Sequence, residues 1–282
     1  MRVLISGTSG YIGRHVHKVF VESGLEVFRY CRDNGVVPCS VHSKNVSTGY
    51  ENYFDVIINC ARPHWAEYSA SEIVDIESRL IKQLDNFASE NAIKIHTSGV
   101  WLFGRASHQD LKEFRLNLLT AVELDVRTIE HAMSSNWNIV YCPSLVYGGD
   151  NCQLKRIVES LTEQTVQVAV PSTGNNQYVH VYDVAKFYLL LVLKPTSETQ
   201  HFIAETKGYS PEQFAQLLFE SNVIETVDKC SWSEFARLKG RDAADIERLN
   251  LTLPVSPLFE STELISDYIT SLCTKINCRT IR

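Results

Sequence analysis

Apolar and polar residues follow two different periods along the N-terminal half of the chain. Val3-Leu-Ile5 is a short apolar run that stops at a glycine-rich turn, and Ile12, Val16 and Phe20 then fall on one helical face. Gly24 comes after these residues, at a position typical of a helix end. The chain is therefore predicted to begin with a strand, a tight turn and a helix.

The same alternation of strand and helix continues as far as Cys142. Helices are predicted where apolar residues recur every three or four positions, from Ile73 to Phe87 and from Val122 to Met133. Because each right-handed crossover between parallel strands carries a helix over the sheet, this order predicts an α/β fold with a doubly wound parallel sheet. Further strands are expected at Leu25 to Tyr30, Asp55 to Ala61, Ile93 to His96 and Ile139 to Cys142.

The regular alternation loosens beyond residue 150, where prolines divide the chain into shorter pieces. We expect residues 1–150 to form a large lobe, and residues 151–175 and 206–282 to form a smaller α/β lobe. Residues 176–205 are expected to return to the large lobe. The two lobes are therefore predicted to interleave in sequence.

The composition and the net charge of the chain limit the kinds of partner that it is expected to bind. The chain has 282 residues, of which 44% are hydrophobic, and 27 Lys and Arg stand against 33 Asp and Glu, for a net charge of −6. This acidic balance predicts neither a nucleic-acid partner nor an anionic membrane partner. No stretch reaches the roughly 18 consecutive apolar residues that a membrane span needs. We expect a cytoplasmic protein.

Eight cysteines are scattered along the sequence without a C-x-x-C pair and without histidines at zinc-ligand spacing. Several fall inside predicted strands. They are expected to be reduced, mostly structural thiols, with no bound metal; a disulfide or metal framework is the less favoured alternative.

The turn after the first strand reads Gly7-Thr-Ser-Gly10-Tyr-Ile-Gly13. In a strand-to-helix turn, the first glycine of this pattern permits the tight turn. The second lets the backbone approach a diphosphate, and the third lets the helix pack closely on the strand. The pattern therefore predicts dinucleotide binding, with a merely tight turn as the alternative.

Phosphate groups are expected at the start of the helix that follows this turn. A helix N-terminus presents unsatisfied N–H groups and its positive dipole end. The donors are expected to be Ser9 and the backbone amides of Tyr11 and Ile12.

The end of the second strand bears on the choice between NAD and NADP. A carboxylate there would accept a hydrogen bond from the ribose 2′-hydroxyl, whereas an arginine would accommodate a 2′-phosphate. The chain reads Phe28-Arg-Tyr-Cys-Arg32, and Asp33 comes one step too late. NADP is therefore the preferred cofactor, with NAD as the alternative. Arg32 is the first candidate for the 2′-phosphate and Arg29 the second, unless both are solvated surface arginines.

With these motifs in place, the sequence resembles the extended short-chain dehydrogenase/reductase superfamily, the NAD(P)-dependent epimerase/dehydratase group. The resemblance covers nearly the first 205 residues. Besides the glycine turn, the matching segments are Asp55-Val-Ile-Ile-Asn-Cys-Ala61, Thr97-Ser-Gly-Val-Trp-Leu-Phe-Gly104, Pro143-Ser-Leu-Val-Tyr-Gly148 and Val179-His-Val-Tyr-Asp-Val-Ala185.

The resemblance implies a Rossmann-type lobe for the cofactor and a smaller lobe for the substrate. It implies an oxidoreductase, epimerase or dehydratase acting by hydride transfer on a nucleotide-sugar or another small carbonyl substrate. Cys60, Ala61 and Arg62 are then expected beside the cofactor, because the family places this loop against the diphosphate and ribose. A homodimer is possible by analogy alone.

The chain departs from the family at its catalytic residues. Members use a Ser or Thr, and a Tyr followed four residues later by a Lys. Gly99 stands at the Ser/Thr position, and Glu123 and Arg127 stand where the Tyr and Lys are expected. A Tyr182-Asp-Val-Ala-Lys186 string also occurs, but it overlaps a segment whose role in the family is structural.

Four residues are candidates to replace the missing polar groups: Ser98, His64, Tyr147 and Glu123. Each also has a role without catalysis. Ser98 could form a strand-end hydrogen bond, and His64 could be an ordinary loop histidine. Tyr147 could be structural, and Glu123 could be a solvated carboxylate.

Two functions remain open at this point. The first is an atypical NADP-dependent enzyme, because hydride transfer is performed by the nicotinamide and can survive loss of the tyrosine. The second is a catalytically silent NADP-binding sensor or scaffold protein.

Overall fold

The computed structural model describes residues 1–33, 35–39 and 49–280, with side chains as far as residue 272. These residues form two compact units. Of the described residues, the first unit takes those within 1–98, 122–141 and 184–201, and the second takes those within 99–121, 142–183 and 202–280.

Strands and helices alternate through most of the described chain. In chain order the strands are β1 (Arg2–Ser6), β2 (Glu26–Cys31), β3 (Gly35–Pro38), β4 (Phe54–Asn59), β5 (Ala88–Gly99), β6 (Asn138–Cys142), β7 (Leu145–Tyr147), β8 (Thr165–Val170), β9 (Tyr178–His180), β10 (Gln200–Phe202) and β11 (Thr226–Ser231). The helices are α1 (Tyr11–Glu22), α2 (Ala70–Phe87), α3 (His108–Lys112), α4 (Val126–Ser134), α5 (Gln153–Glu159), α6 (Val181–Leu193), α7 (Pro211–Glu220), α8 (Trp232–Lys239), α9 (Arg241–Glu247) and α10 (Ile265–Thr280).

The main sheet has the strand order β10-β6-β5-β4-β1-β2-β3 in the described residues. β1 pairs in parallel with both β2 and β4, β4 pairs in parallel with β5, and β3 is antiparallel to β2. The chain moves outward from β1 through β2 on one side and from β4 through β5 on the other. This reversal between β1 and β4 is the switch point of a doubly wound sheet, where ligands bind at the carboxyl ends of the strands. The Rossmann-type α/β fold predicted from the sequence is confirmed.

The centre of this sheet is apolar on both faces. Val3, Leu4 and Ile5 of β1 are fully buried, as are Ile57 and Ile58 of β4. A near-continuous apolar run of this kind is typical of parallel strands that have helices on both sides. Burial of these strands fixes the register that brings Ser6 beside Asn59 at the carboxyl edge.

α2 begins at Ala70, three residues before the predicted start at Ile73, and α4 begins later than predicted. Ser69 accepts a hydrogen bond from the Glu72 amide, and Glu72 bonds back to the Ser69 amide, which forms a capping box. The predicted start of the later helix at Val122 is wrong, because residues 120–125 form a 3-10 segment and α4 begins only at Val126. Asp125 precedes α4 without capping it with its side chain.

The second unit contains two small parallel sheets in its described part. β8 pairs with β11, and β7 pairs with β9. Residues 99–121 also belong to this unit, although the sequence places them in a continuous lobe of residues 1–150. They join it because Trp101 donates from its indole N–H to Ser144 (2.8 Å), and Phe103 and Phe114 pack on Phe202.

Two further sequence expectations can be compared with the described residues. Cys31, Cys39, Cys60, Cys142, Cys152 and Cys230 are free thiols, and the side chains of Cys273 and Cys278 lie outside the described residues. Among the helices that the structure describes, none combines the length and the apolar character needed to cross a bilayer.

Candidate cofactor-binding site

A cavity of about 830 Å³ opens in the first unit beside the glycine-rich turn. Its wall comes from the turn after β1, the end of β2, the loop after β4 and one face of α2. The residues that line it are Ser6, Gly7, Thr8, Ser9, Gly10, Arg29, Tyr30, Cys31, Arg32, Cys60, Ala61, Arg62, Pro63, Ile76, Arg79, Leu80 and Gln83. The cavity therefore lies at the switch point of the sheet, where the strand order predicts a ligand.

The glycines of the turn are required by close backbone approaches. Gly7 has φ +76°, and a Cβ there would lie 2.6 Å from the backbone of Cys60 and Ala61. A Cβ at Gly13 would lie 2.2 Å from the Gly7 carbonyl oxygen. At Gly10 the nearest atom to an added Cβ is the same oxygen, at 3.1 Å. Gly7 and Gly13 thus hold the turn together, whereas Gly10 mainly keeps a surface of the cavity open.

The start of α1 is arranged to receive an anion. Gly10 is the N-cap residue and supplies no side-chain cap, and the backbone amides of Tyr11 and Ile12 belong to the first turn of the helix. Arg14 donates to the carbonyl oxygens of Ser9 (2.8 Å) and Gly10 (3.2 Å), which fixes the turn from the outside. A helix start of this kind is where proteins commonly bind phosphate groups.

A buried polar network supports the strand ends below the cavity. The Asn59 side-chain oxygen accepts from Ser6 Oγ (2.6 Å) and from the Ala61 amide (3.1 Å). The Asn59 amide group donates to His96 Nδ1 at 3.1 Å, so His96 is an acceptor there and is neutral. Burial, together with the charge of Arg62, lowers the pKa of His96 to about 4. The network ties the ends of β1, β4 and β5 to one another.

Arg62, expected to contact a phosphate, is held by two carboxylates. Its guanidinium donates to Asp125 Oδ2 at 2.6 Å and to both oxygens of Glu77 at 3.3 Å. The Glu77 side chain is only 3% exposed, and Thr128 also donates to it. Burial raises the pKa of Glu77 to about 7, which Asp125 reinforces and Arg62 opposes. Arg62 still lines the cavity, but its charge is largely neutralised.

Arginines surround the end of β2. Arg29, Arg32 and Arg79 all line the cavity there, and Arg32 approaches the Tyr68 hydroxyl at 3.5 Å. In the described part of the chain, no aspartate or glutamate lines the cavity. The end of β2 therefore offers positive charge, without the carboxylate that a ribose 2′-hydroxyl would need.

Cys60 lines the cavity at the end of β4. The Thr97 hydroxyl donates to its sulfur at 3.4 Å, and the Tyr188 hydroxyl donates to Thr97 at 2.8 Å. Burial raises the pKa of Cys60 to about 12, so the thiol stays protonated. It is a packing residue of the cavity wall and not a nucleophile.

The candidate catalytic residues of the first unit lie in three different segments. Ser98 lies at the end of β5 and is half-buried. His64 is exposed in the loop after β4, where its Nδ1 accepts from the Ala66 amide at 3.2 Å. Glu123 is exposed in the 3-10 segment before α4, and Arg127 is exposed on α4.

Tyr147 belongs to the second unit and is fully buried. Its hydroxyl lies 2.6 Å from Glu205 Oε1 and 2.8 Å from the Glu263 carbonyl oxygen. Burial and the Glu205 carboxylate both raise its pKa above the usual range. Glu205 also accepts from the Ile265 amide at the start of α10. These contacts favour the structural alternative for this tyrosine.

Several site residues were missed by the sequence reasoning. Arg79, Ile76, Leu80 and Gln83 all project from one face of α2, a spacing that the helical pattern contains but does not mark as functional. Glu77 had a clearer signal, because it stands between Ile73 and Ile81 in the apolar stripe of α2. A charged residue in such a stripe indicates a buried partner.

The described geometry agrees with comparisons to known proteins. A family sequence model, the NAD dependent epimerase/dehydratase family, matches residues 3–203. No curated protein sequence matches the chain. Membership at this extent supports NAD(P) as the cofactor.

Solved structures share the fold at low sequence identity. Human epimerase family protein SDR39U1 (isoform 2), solved with NADPH, is 12% identical with a TM-score of 0.72, over 97% of this chain and 99% of that one. UDP-glucose 4-epimerase from Thermotoga maritima, solved with UDP-glucose, is 15% identical with a TM-score of 0.71, over the full length of both chains. UDP-N-acetylglucosamine 4-epimerase from Bacillus cereus is 14% identical with a TM-score of 0.70, over 98% of this chain and 99% of that one.

Proposed function

The chain belongs to the NAD dependent epimerase/dehydratase family, and from that premise we propose that it is an NADP(H)-dependent oxidoreductase. The carrying observation is the cavity beside the glycine turn, which joins a diphosphate cradle to arginines at the end of β2. The diphosphate would lie against the amides of Tyr11 and Ile12, with Ser9 as a further donor. Gly10 leaves it room.

The preference for NADP over NAD rests on charge. A 2′-phosphate is an anion that arginine binds well, whereas a free 2′-hydroxyl needs an acceptor such as a carboxylate. Arg32 and Arg29 stand at the end of β2, and no carboxylate is found among the described lining residues. The structural neighbours include proteins solved with NADPH and one solved with NAD, so both cofactors occur on this fold.

The nicotinamide supplies the hydride, and the protein supplies orientation and a polar group for the substrate oxygen. Ser98, at the carboxyl end of β5, is the first candidate for that hydrogen bond, and His64 is the second. Without the family's tyrosine, the proton on the product would come from water or one of these groups. A general acid typically adds about 10²- to 10⁴-fold to a rate, so a slow enzyme is the expected result.

The substrate class is proposed from the compounds that structural neighbours bind or act on. Structural neighbours act on or bind nucleotide-sugars, among them UDP-glucose and UDP-N-acetylglucosamine. A nucleotide-sugar or another small carbonyl compound is therefore the substrate class to test first.

The cofactor is tested by titrating intrinsic tryptophan fluorescence with NADPH and with NADH. Trp65 is 73% exposed in the loop after β4 and is one reporter in this unit. We expect NADPH to bind more tightly. Equal affinity for the two would remove the case for Arg32, and no binding of either would remove the proposed function.

The positions of Glu123 and Arg127 favour a second candidate function. Both are exposed where the family has its tyrosine and lysine, so the same cofactor site is compatible with a catalytically silent sensor or scaffold. NADPH consumption over hours with a panel of nucleotide-sugars distinguishes the two. Slow, substrate-dependent oxidation supports the enzyme, whereas binding without turnover of any compound supports the sensor.

A further inference from the structure

Arg79 on α2 reaches the same cavity as the arginines at the end of β2. Its Nε donates to the Asp75 carbonyl oxygen at 3.2 Å, one turn earlier, so the stem of the side chain is held along the helix. The side chain is otherwise exposed. It comes from a different wall of the cavity than Arg29 and Arg32.

A hydrogen bond between the two walls shows where Arg79 lies relative to β2. The Tyr30 hydroxyl donates to Gln83 Oε1 at 2.7 Å, which joins β2 to α2 at this level. Arg79 is one helical turn before Gln83, and Arg32 is two residues after Tyr30. α2 connects the parallel strands β4 and β5 and so runs opposite to them. Both arginines therefore lie beyond this hydrogen bond toward the carboxyl edge of the sheet.

These two arginines differ from Arg62 in their charge partners. Within the residues described, no carboxylate lies at ion-pair distance from Arg32 or Arg79, in contrast to Arg62 with Asp125 at 2.6 Å. Two guanidinium groups on opposite walls of one cavity favour an anion between them. A phosphate monoester has three oxygens for such donors.

We propose that Arg79 is a specificity-determining residue that binds the 2′-phosphate of NADP(H) from the α2 side, opposite Arg32. This inference rests on the proposed cofactor function and adds to it a residue on α2. Arg79 then acts on the choice between NADP and NAD and not on binding of the diphosphate, which the glycine turn provides.

The test uses two ligands that lack the nicotinamide, 2′-phospho-ADP-ribose and ADP-ribose, titrated by calorimetry. Their difference in affinity isolates the 2′-phosphate. The variants are Arg79→Ala, Arg79→Lys and Lys82→Ala. Lys82 is exposed on the same helix and does not line the cavity. Lys82→Ala therefore removes one positive charge from α2 outside the cavity and serves as the control.

For Arg79→Ala we expect about tenfold weaker binding of 2′-phospho-ADP-ribose and little change for ADP-ribose, as loss of one charge-assisted contact predicts. The affinity of Arg79→Lys for 2′-phospho-ADP-ribose should lie between those of the wild type and Arg79→Ala, because lysine keeps the charge but lacks the planar guanidinium donors. Lys82→Ala should bind both ligands as the wild type does.

Equal weakening of both ligands by Arg79→Ala, or no change in either, would overturn the assignment while the wild type still binds. If the wild type binds neither ligand, the proposed cofactor function itself fails. Because Arg79 is exposed, a thermal melt that matches the wild type is expected for each variant.

Discussion

The guanidinium of Arg62 and the carboxylate of Asp125 lie 2.6 Å apart, joining the loop after β4 to the residue that precedes α4. Glu77 of α2 shares the same cation at 3.3 Å. Three segments of the first unit therefore meet at one cluster, the Arg62–Glu77–Asp125 cluster, in which the two acidic residues are buried and the arginine is partly exposed. The family's tyrosine position, Glu123, is two residues from this cluster, but its side chain is not part of it.

Removing the cation of this cluster should destabilise the fold. Arg62→Met leaves two buried carboxylates without a cation, and breaking a buried ion pair costs several kcal/mol. Because Arg62 is 49% exposed, we expect a smaller loss of about 2 kcal/mol at pH 8, measured by urea unfolding. The double variant Arg62→Met, Glu77→Gln should recover part of it. A single variant as stable as the wild type would contradict the role of the cluster.

The cluster should also produce a pH dependence. Burial raises the pKa of Glu77 from 4.5 to about 7, so between these values the folded chain holds a proton that the unfolded chain releases. The contribution of this group to the free energy of unfolding is therefore present at low pH and is lost as pH rises through 7. Glu77→Gln cannot ionise and should gain about 2 kcal/mol relative to wild type between pH 5 and pH 8.

Comparison with the wild type at each pH separates this effect from that of His96. Burial lowers the pKa of His96 to about 4, so its contribution is lost as pH falls from 6.5 to 4, the opposite direction. The wild type and Glu77→Gln both contain His96, so the contribution of His96 cancels in the difference between their free energies of unfolding. Glu130→Gln, an exposed change on α4, is the control. A difference between Glu77→Gln and wild type that does not vary with pH would argue against the raised pKa.

Two glycines of the turn should respond differently to alanine. At Gly13 the new Cβ would lie 2.2 Å from backbone, so Gly13→Ala should cost about 1–3 kcal/mol of stability. At Gly10 the nearest atom is the Gly7 carbonyl oxygen at 3.1 Å, a smaller conflict, so Gly10→Ala should cost less stability than Gly13→Ala. Because Gly10 lines the cavity, NADPH affinity should fall at least about tenfold, as loss of a phosphate contact predicts. Normal NADPH binding by Gly10→Ala would place the diphosphate elsewhere.

Tyr147→Phe distinguishes a structural tyrosine from a catalytic one. The hydroxyl is buried against Glu205 and the Glu263 carbonyl, and its loss leaves polar groups with fewer partners. We expect a loss of about 1–3 kcal/mol in the free energy of unfolding, with NADPH affinity unchanged. If stability is unchanged but substrate-dependent NADPH oxidation slows, the tyrosine belongs to the chemistry.

The sequence predicts those parts of the site that local geometry determines. The turn from Gly7 to Gly13 needs only neighbouring residues and the strand it follows. The order of strands and helices likewise follows from local periods and the handedness of crossovers. These features were therefore accessible without a structure.

The sequence does not predict contacts between distant segments. Arg62 meets Asp125 across 63 positions, and that contact gives a side chain expected beside the cofactor an ion-pair partner within the protein. Asp125 gives its carboxylate to Arg62 and does not cap α4, which begins later than the apolar spacing predicts. The position of Arg79 beside the end of β2 depends on the contact between Tyr30 and Gln83, 53 positions apart.

A crystal structure of the protein with NADPH tests the central claim most directly, because it locates both phosphate sites at once. We expect the diphosphate oxygens within hydrogen-bond distance of the amides of Tyr11 and Ile12, and the 2′-phosphate beside Arg32 at the end of β2. A dinucleotide bound outside this cavity, or none bound at saturating NADPH, would contradict it.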